Sequence, residues 1–172
     1  MENLERYKHL NKYLKDKFGE RTLKICIDGG FSCPNRDGSI SNGGCIFCSE
    51  RGSGDHIKLQ SESCCIESFI SNQVKNYFNT YKAERANKFI AYFQNFTNTY
   101  DSISNLKLKY DSALIDNRIV ALAIATRPDC INEDICKLLK SYCDKYYVWV
   151  ELGLQTSNNE TGKLINRGYS SQ

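Results

Sequence analysis

The sequence predicts an α/β protein built on a parallel sheet. Strand-like and helix-like segments alternate along the chain, and the later strands start at the intervals of βα repeats. A third observation, a stretch rich in cysteine and glycine after the first strand, says where on that sheet to look for chemistry.

The first element is a helix. Tyr7, Leu10, Leu14 and Phe18 recur at intervals of three and four with lysines elsewhere, and Gly19 supplies the stop. This amphipathic segment (residues 1–21) is expected to pack on a single domain formed by residues 22–172. Thr22–Ile27 then reads as a strand, 62–81 as a long helix, Lys88–Phe93 as a second strand and 104–116 as a helix. Residues 119–125 form the third strand, 132–145 a helix and 148–154 the fourth strand. A last helix starts near Asn158, whose side chain can cap it, with Glu160 in the first turn.

The strands start at 22, 88, 119 and 148, so the spacings are 66, 31 and 29. The last two fit an ordinary βα unit. The first is double that, which makes the cysteine stretch an insertion after the C-terminal end of the first strand. Parallel βα folds bind their ligands at that edge. In the third strand Val120, Leu122 and Ile124 alternate with Ala121, Ala123 and Ala125, so one face is cleared of bulk, and the strand runs into Thr126-Arg127-Pro128-Asp129. In the fourth, Val148, Val150, Leu152 and Leu154 share one face and are expected to pack on helices. The other face carries Trp149, Glu151, Gly153 and Gln155 toward the interior or mouth of the sheet.

Composition narrows the class. With 172 residues, 41% hydrophobic and 25% charged, the chain is globular and can bury a core without disulfides. No apolar run reaches the roughly 20 residues of a membrane span, and the charged N-terminus lacks a signal core, so a cytoplasmic protein is expected. A net charge of +3 is too mild to argue for nucleic acid by itself.

Nine cysteines cannot all pair within one chain, and in a reducing compartment clustered cysteines read as metal ligands or redox groups. Cys136 and Cys143, seven apart beside Leu139, are expected in the core, and Cys26 lies in the first strand. Cys33, Cys45 and Cys48 differ. Seven of the eleven glycines fall between Gly29 and Gly54, with Pro34 among them, so these cysteines sit on an irregular loop. A loop of about 20 residues without secondary structure is uncommon in a compact domain unless it is functional. The spacing C-x11-C-x2-C offers three thiolates and no obvious fourth. A closed zinc site needs four ligands, for which His56, Cys64 or Cys65 are available. A [4Fe–4S] cluster on three thiolates keeps one iron open to an exogenous ligand and matches the count better. Inert thiols are the third reading. Phe47, directly before Cys48, would lie against whatever occupies the open iron, or simply pack the loop.

The run Asp28-Gly29-Gly30-Phe31-Ser32-Cys33-Pro34-Asn35-Arg36-Asp37-Gly38, continued by Gly43-Gly44-Cys45-Ile46-Phe47-Cys48-Ser49-Glu50-Arg51-Gly52-Ser53-Gly54, closely resembles the cluster loop of a known family. These are the bacterial radical S-adenosylmethionine proteins of the YhcC/YtqA type, themselves similar to the radical domain of the Elongator catalytic subunit. The resemblance continues through residues 92–100, through Ala125-Thr126-Arg127-Pro128-Asp129 and through Glu151-Leu152-Gly153-Leu154-Gln155-Thr156. It implies that Cys33, Cys45 and Cys48 bind three irons of a [4Fe–4S] cluster, with the amine and carboxylate of S-adenosylmethionine on the fourth. Reductive cleavage of that cofactor would give a 5′-deoxyadenosyl radical for hydrogen abstraction. Gln94, Asn95 and Thr97 would hold the methionyl amine, Gln155 the ribose, and Phe47 would lie near adenine. Glu151 would line the same pocket. Arg127 would pair with the cofactor carboxylate, contact substrate, or form a structural salt bridge beside Thr126.

The resemblance also implies a partial (βα) barrel of six units, of which about four are readable. The chain is therefore expected to be the N-terminal part of that barrel, its C-terminal portion absent, with an open edge suited to self-association. It further implies a flavodoxin- or ferredoxin-like electron donor and modification of tRNA, at the wobble uridine. Lys75, Lys82, Arg85, Lys88, Lys107 and Lys109 would then meet phosphate, or else form a solvated helix face. The alternatives are a zinc-stabilised binding module and a cluster-binding fragment that is catalytically incomplete.

Overall fold

The computed structural model describes residues 6–52 and 65–172. Its strands are β1 (Thr22–Ile27), β2 (Lys88–Phe93), β3 (Ile119–Thr126) and β4 (Tyr147–Leu152). They form one sheet in the order β1-β2-β3-β4, every pair parallel. The α/β class and the parallel sheet are thus as the alternating pattern predicts. Helix α1 (Leu10–Phe18) precedes β1, α2 (Ile66–Phe78), α3 (Ile103–Ala113) and α4 (Glu133–Tyr142) connect the strands, and α5 (Asn159–Leu164) follows β4. Three helix starts carry polar caps: Ser102 Oγ, Asn132 Oδ1 and Asn158 Oδ1 accept from orphaned N–H groups of α3, α4 and α5. Gly19 closes α1 at φ 79°, the left-handed conformation that glycine adopts without penalty.

Each face of the sheet has its own cover. Ile25, Ile27, Phe89, Ala91, Phe93, Leu122 and Ile124 face α2, α3 and α4 and are buried against Ile70, Val74, Leu106, Tyr110, Leu138 and Leu139. On the opposite face Ile90, Ala121 and Ala123 meet Leu14 of α1, with Tyr13, Phe18, Tyr147 and Trp149 partly buried around them. The alanines of β3 are what let α1 approach. The Tyr13 and Tyr147 hydroxyls lie 2.7 Å apart, and Lys88 Nζ donates to Phe18 O at 2.6 Å, which pins the helix.

Several expectations are corrected. The apolar stripe of α1 is shorter than its spacing suggests, because the helix begins at Leu10 and leaves Tyr7 and Leu10 exposed. Cys136 and Cys143 are exposed rather than core. The buried stripe of α4 is Ile135, Leu138, Leu139 and Tyr142, and a residue one position on is turned about 100° away from it. β4 ends at Leu152 instead of 154; Val148 and Val150 pack on the core, but Leu152 and Leu154 are exposed. Residues 53–64, with His56, Cys64 and the expected start of the long helix at 62, lie outside the described residues.

The basic set does not form one face. Lys109 is buried, its Nζ 3.8 Å from the centre of the Phe31 ring and 2.9 Å from Asp101 Oδ2. Lys107 pairs with Asp111, and Lys88 with Glu20. Lys75, Lys82 and Arg85 are exposed where α2 runs down to the start of β2. That is the N-terminal edge of the sheet, a strand length of roughly 20 Å from its other edge.

Candidate functional site

Beyond β1 the chain enters the cysteine loop under tight local control. Gln73 of α2 accepts from the Asp28 N–H at 2.9 Å and donates to Asp28 O at 2.8 Å, while Asp28 Oδ1 accepts from Gly30 N. Arg36 then bridges the loop internally, donating to the carbonyls of Cys48, Ser49 and Glu50. Gly44, at φ 70°, makes room for it: a Cβ there would lie 2.8 Å from Arg36 Nε. The loop is held by this guanidinium and by backbone turns in place of regular structure, as its composition suggests.

The loop covers a cavity of about 370 Å³ over the C-terminal ends of the strands, within the ~300–1,000 Å³ of small-molecule sites. Cys33, Cys45, Cys48 and Phe47 come from the loop, and Gln94 and Thr97 from the turn after β2. Thr126 and Arg127 come from the end of β3, and Glu151 and Gln155 from β4 and the residues beyond it. All the cluster and cofactor residues implied by the resemblance except Asn95 therefore meet in one place. Asn95 does not line the cavity; it is buried, and among the described residues neither atom of its amide has a partner. Thr97 Oγ1 is likewise buried and unpaired. Asn98 and Thr99 are structural: Asn98 Nδ2 donates to Phe93 O and Ala125 O, and Thr99 Oγ1 meets Thr126 Oγ1, which ties the ends of β2 and β3 together.

The charges in the cavity are organised. The Cys45 thiol is pushed down to about 6, first by the hydrogen bond from Cys48, then by Asn35 and the charges of Arg127 and Arg36, against the opposing effect of burial. Cys48, the donor of that pair, is raised. A depressed thiol is more readily present as the thiolate, the form that binds metal. Glu151 accepts from Tyr92 Oη at 2.6 Å, Trp149 Nε1 at 3.0 Å and Lys24 Nζ at 3.2 Å. Burial alone would raise its carboxyl, but those three donors hold it below the ordinary value. Arg127 is buried and forks onto both oxygens of Asp129, so the salt bridge anticipated at that strand end is present, while Nη1 still reaches to 3.9 Å from Cys33 Sγ.

Two cavity residues escaped the sequence reading. Arg167 is 1% exposed, and among the described residues it has no carboxylate partner. It is held by the carbonyls of Leu154, Thr156 and Tyr169 and by Asn159 Oδ1. Tyr169 lies between Arg127 and Arg167, whose guanidinium carbons are 4.8 and 4.5 Å from its ring centre, and it donates to Gly153 O. The available signal was an arginine and an aromatic in a Gly-containing turn after the last helix, which by itself reads as a solvated end.

The donor set indicates what the cavity suits. Three thiols with one depressed, the buried unpaired Thr97 hydroxyl beside them, and a buried arginine that has no carboxylate partner among the described residues fit an iron–sulfur cluster with a zwitterionic ligand. Among the described residues, no three Cys, His, Asp or Glu side chains converge as the ligands of a single ion do. Each thiolate of a multi-iron cluster binds its own iron, so such a cluster asks for a wider triangle than one ion.

Fold and site define a class: a parallel α/β protein with a thiol-lined cavity over the C-terminal edge of its sheet. No family model matches the chain. Protein YtqA of Bacillus subtilis is 42% identical over 165 residues, covering 96% of this chain and 50% of that protein. Protein YhcC of Escherichia coli K12 is 40% identical over 157 residues (91% and 48%), and MJ0486 of Methanocaldococcus jannaschii 34% identical over 158 residues (91% and 47%). The chain spans about half the length of the curated relatives it matches, and none of their names states an activity. Among the described residues no helix is long and apolar enough to cross a membrane.

Proposed function

We propose that the chain carries the cofactor-binding part of a radical S-adenosylmethionine enzyme. In this reading Cys33, Cys45 and Cys48 hold a [4Fe–4S] cluster, and the four-stranded sheet belongs to a partial (βα) barrel. The observation that carries the proposal is the meeting of these three thiols, from one irregular loop, with polar side chains from three different strand ends in one cavity.

When bound, the cluster and S-adenosylmethionine supply one-electron cleavage and hydrogen-atom abstraction. The chain's own residues bind and orient. The unpaired Thr97 hydroxyl offers an acceptor for the methionyl amine, beside Gln94. Arg167 offers a buried cation to a carboxylate, a better candidate for that task than Arg127, whose fork Asp129 occupies. Gln155 and Glu151 stand on the wall that would meet the ribose, and the half-exposed Phe47 would cover an adenine and exclude water. A flavodoxin- or ferredoxin-like donor would deliver the electron in the cytoplasm. The proposed substrate, tRNA at the wobble uridine, rests on the resemblance to the Elongator subunit. The edge of β4, unpaired among the described residues, is where further βα units or a second copy would add.

Anaerobic loading of the chain with iron and sulfide, reduction, and addition of S-adenosylmethionine test the proposal. The wild type should release 5′-deoxyadenosine, and Cys45→Ala should release none. Stoichiometric zinc without iron–sulfur absorption would overturn the cluster. A loaded chain that releases no 5′-deoxyadenosine would confine the proposal to cofactor binding.

A further inference from the structure

Three successive backbone carbonyls just after α5 each accept a hydrogen bond, two from the cysteine loop and one from Arg127 beyond β3. Ile165 O accepts from the N–H of Ile46 at 3.1 Å. Asn166 O accepts from Asn35 Nδ2 at 2.5 Å, and Arg167 O from Arg127 Nη1 at 3.1 Å. Every one of these donors borders a cysteine. Ile46 follows Cys45, Asn35 Nδ2 also lies 3.5 Å from Cys45 Sγ, and Arg127 Nη1 lies 3.9 Å from Cys33 Sγ.

The contact is returned from the other side. Asn166 Nδ2 donates to Gly44 O at 2.6 Å and to Ser41 Oγ at 3.3 Å. Asn166 does this at φ 53°, a conformation that asparagine tolerates better than most residues. Asn35 is fully buried, and its own backbone carbonyl accepts from Gly44 N at 2.7 Å. Gly168 completes the fit, because a Cβ there would lie 2.6 Å from Asn35 Oδ1.

We propose that residues 165–168 form a clasp that sets the electronic environment of the cysteine loop, with Asn35 and Arg127 as positioning residues aimed at the Cys45 and Cys33 sulfurs. The inference rests on the cluster reading above and deepens it. Donors directed at cluster sulfurs stabilise the more negative, reduced form, so the clasp raises the reduction potential. It also couples the order of the loop to that of the segment after α5, whose other side chain, Arg167, faces the same cavity.

Two variants test this in the full chain. Asn35→Asp exchanges the sulfur-directed donor for a carboxylate. Asn166→Gly keeps the left-handed backbone and removes the two side-chain bonds. After reconstitution both should hold iron at the wild-type level, with midpoint potentials more negative than wild type and the larger shift in Asn35→Asp. In the cluster-free chain, amide exchange at Gly44 and Ile46 should quicken about thirtyfold in Asn166→Gly, as the loss of two hydrogen bonds of ordinary net strength implies. Unchanged potentials in both variants would overturn the proposal. If Asn35→Asp does not fold, Asn166→Gly decides alone. A wild type that takes up no cluster overturns the cofactor reading; the clasp is then judged on exchange at Gly44 and Ile46, and a wild-type rate in Asn166→Gly rejects it.

Discussion

Replacing Arg167 with methionine will lower the stability of the cluster-free chain by about 3 kcal/mol, at the upper end for bonds to a charged group. Methionine fills much of the same space but donates nothing. The carbonyls of Leu154, Thr156 and Tyr169 then lose their charged donor inside the protein, as does Asn159 Oδ1. The Tyr169 ring loses a guanidinium whose carbon lies 4.5 Å from its centre. For a chain of this size such a loss corresponds to a fall in melting temperature of about 10 °C. Arg167→Lys will recover little of it, since an ammonium cannot span acceptors that a planar fork spans. The site has no spare room, as a Cβ at Gly162 would lie 2.9 Å from Arg167 Nη2. Thermal unfolding followed by circular dichroism measures this; a shift under 2 °C would mean that Arg167 does not organise the cavity wall.

The second effect is pH-dependent. Glu151 is held below its ordinary value of 4.5, because hydrogen bonds from Tyr92 and Trp149 and the charge of Lys24 outweigh the upward effect of burial. A depressed carboxyl contributes stability that is complete above 4.5 and is lost as pH falls through the lower folded value. Glu151→Gln should therefore cost about 1–2 kcal/mol at pH 7, less than a fully buried pair because the carboxylate is partly exposed. The cost should shrink toward zero at acid pH. Urea unfolding at a series of pH values from neutral to strongly acid gives the comparison. Parallel curves for wild type and variant would show that Glu151 is not held as an anion.

The elements were legible because they rest on local chemistry. The alternation of β3, the cap Asn158 and the stop at Gly19 all appear where the local residues demand them. The loop was legible because glycine and proline punctuate it. What escaped the sequence depends on rotation and distance. A stripe four residues wide on α4 excludes Cys136 and Cys143 by a single step around the helix. Lys109 looks like any surface lysine until α3 turns it onto Phe31 and Asp101. Arg167 is a cavity residue only because the turn after α5 brings it back over the ends of β3 and β4, a contact between residues some 40 positions apart. No spacing rule reaches that far. The cysteine spacing predicted a shared role, and the structure adds the cavity in which that role would be performed.

In the proposed function three loop thiols hold a cluster with one iron left open to S-adenosylmethionine. The most direct measurement is the electron paramagnetic resonance spectrum of the reduced, reconstituted chain, recorded with and without S-adenosylmethionine. The proposed function predicts a [4Fe–4S] signal whose line shape changes when the cofactor is added. An iron–sulfur signal that the cofactor leaves untouched, or no such signal, would contradict it.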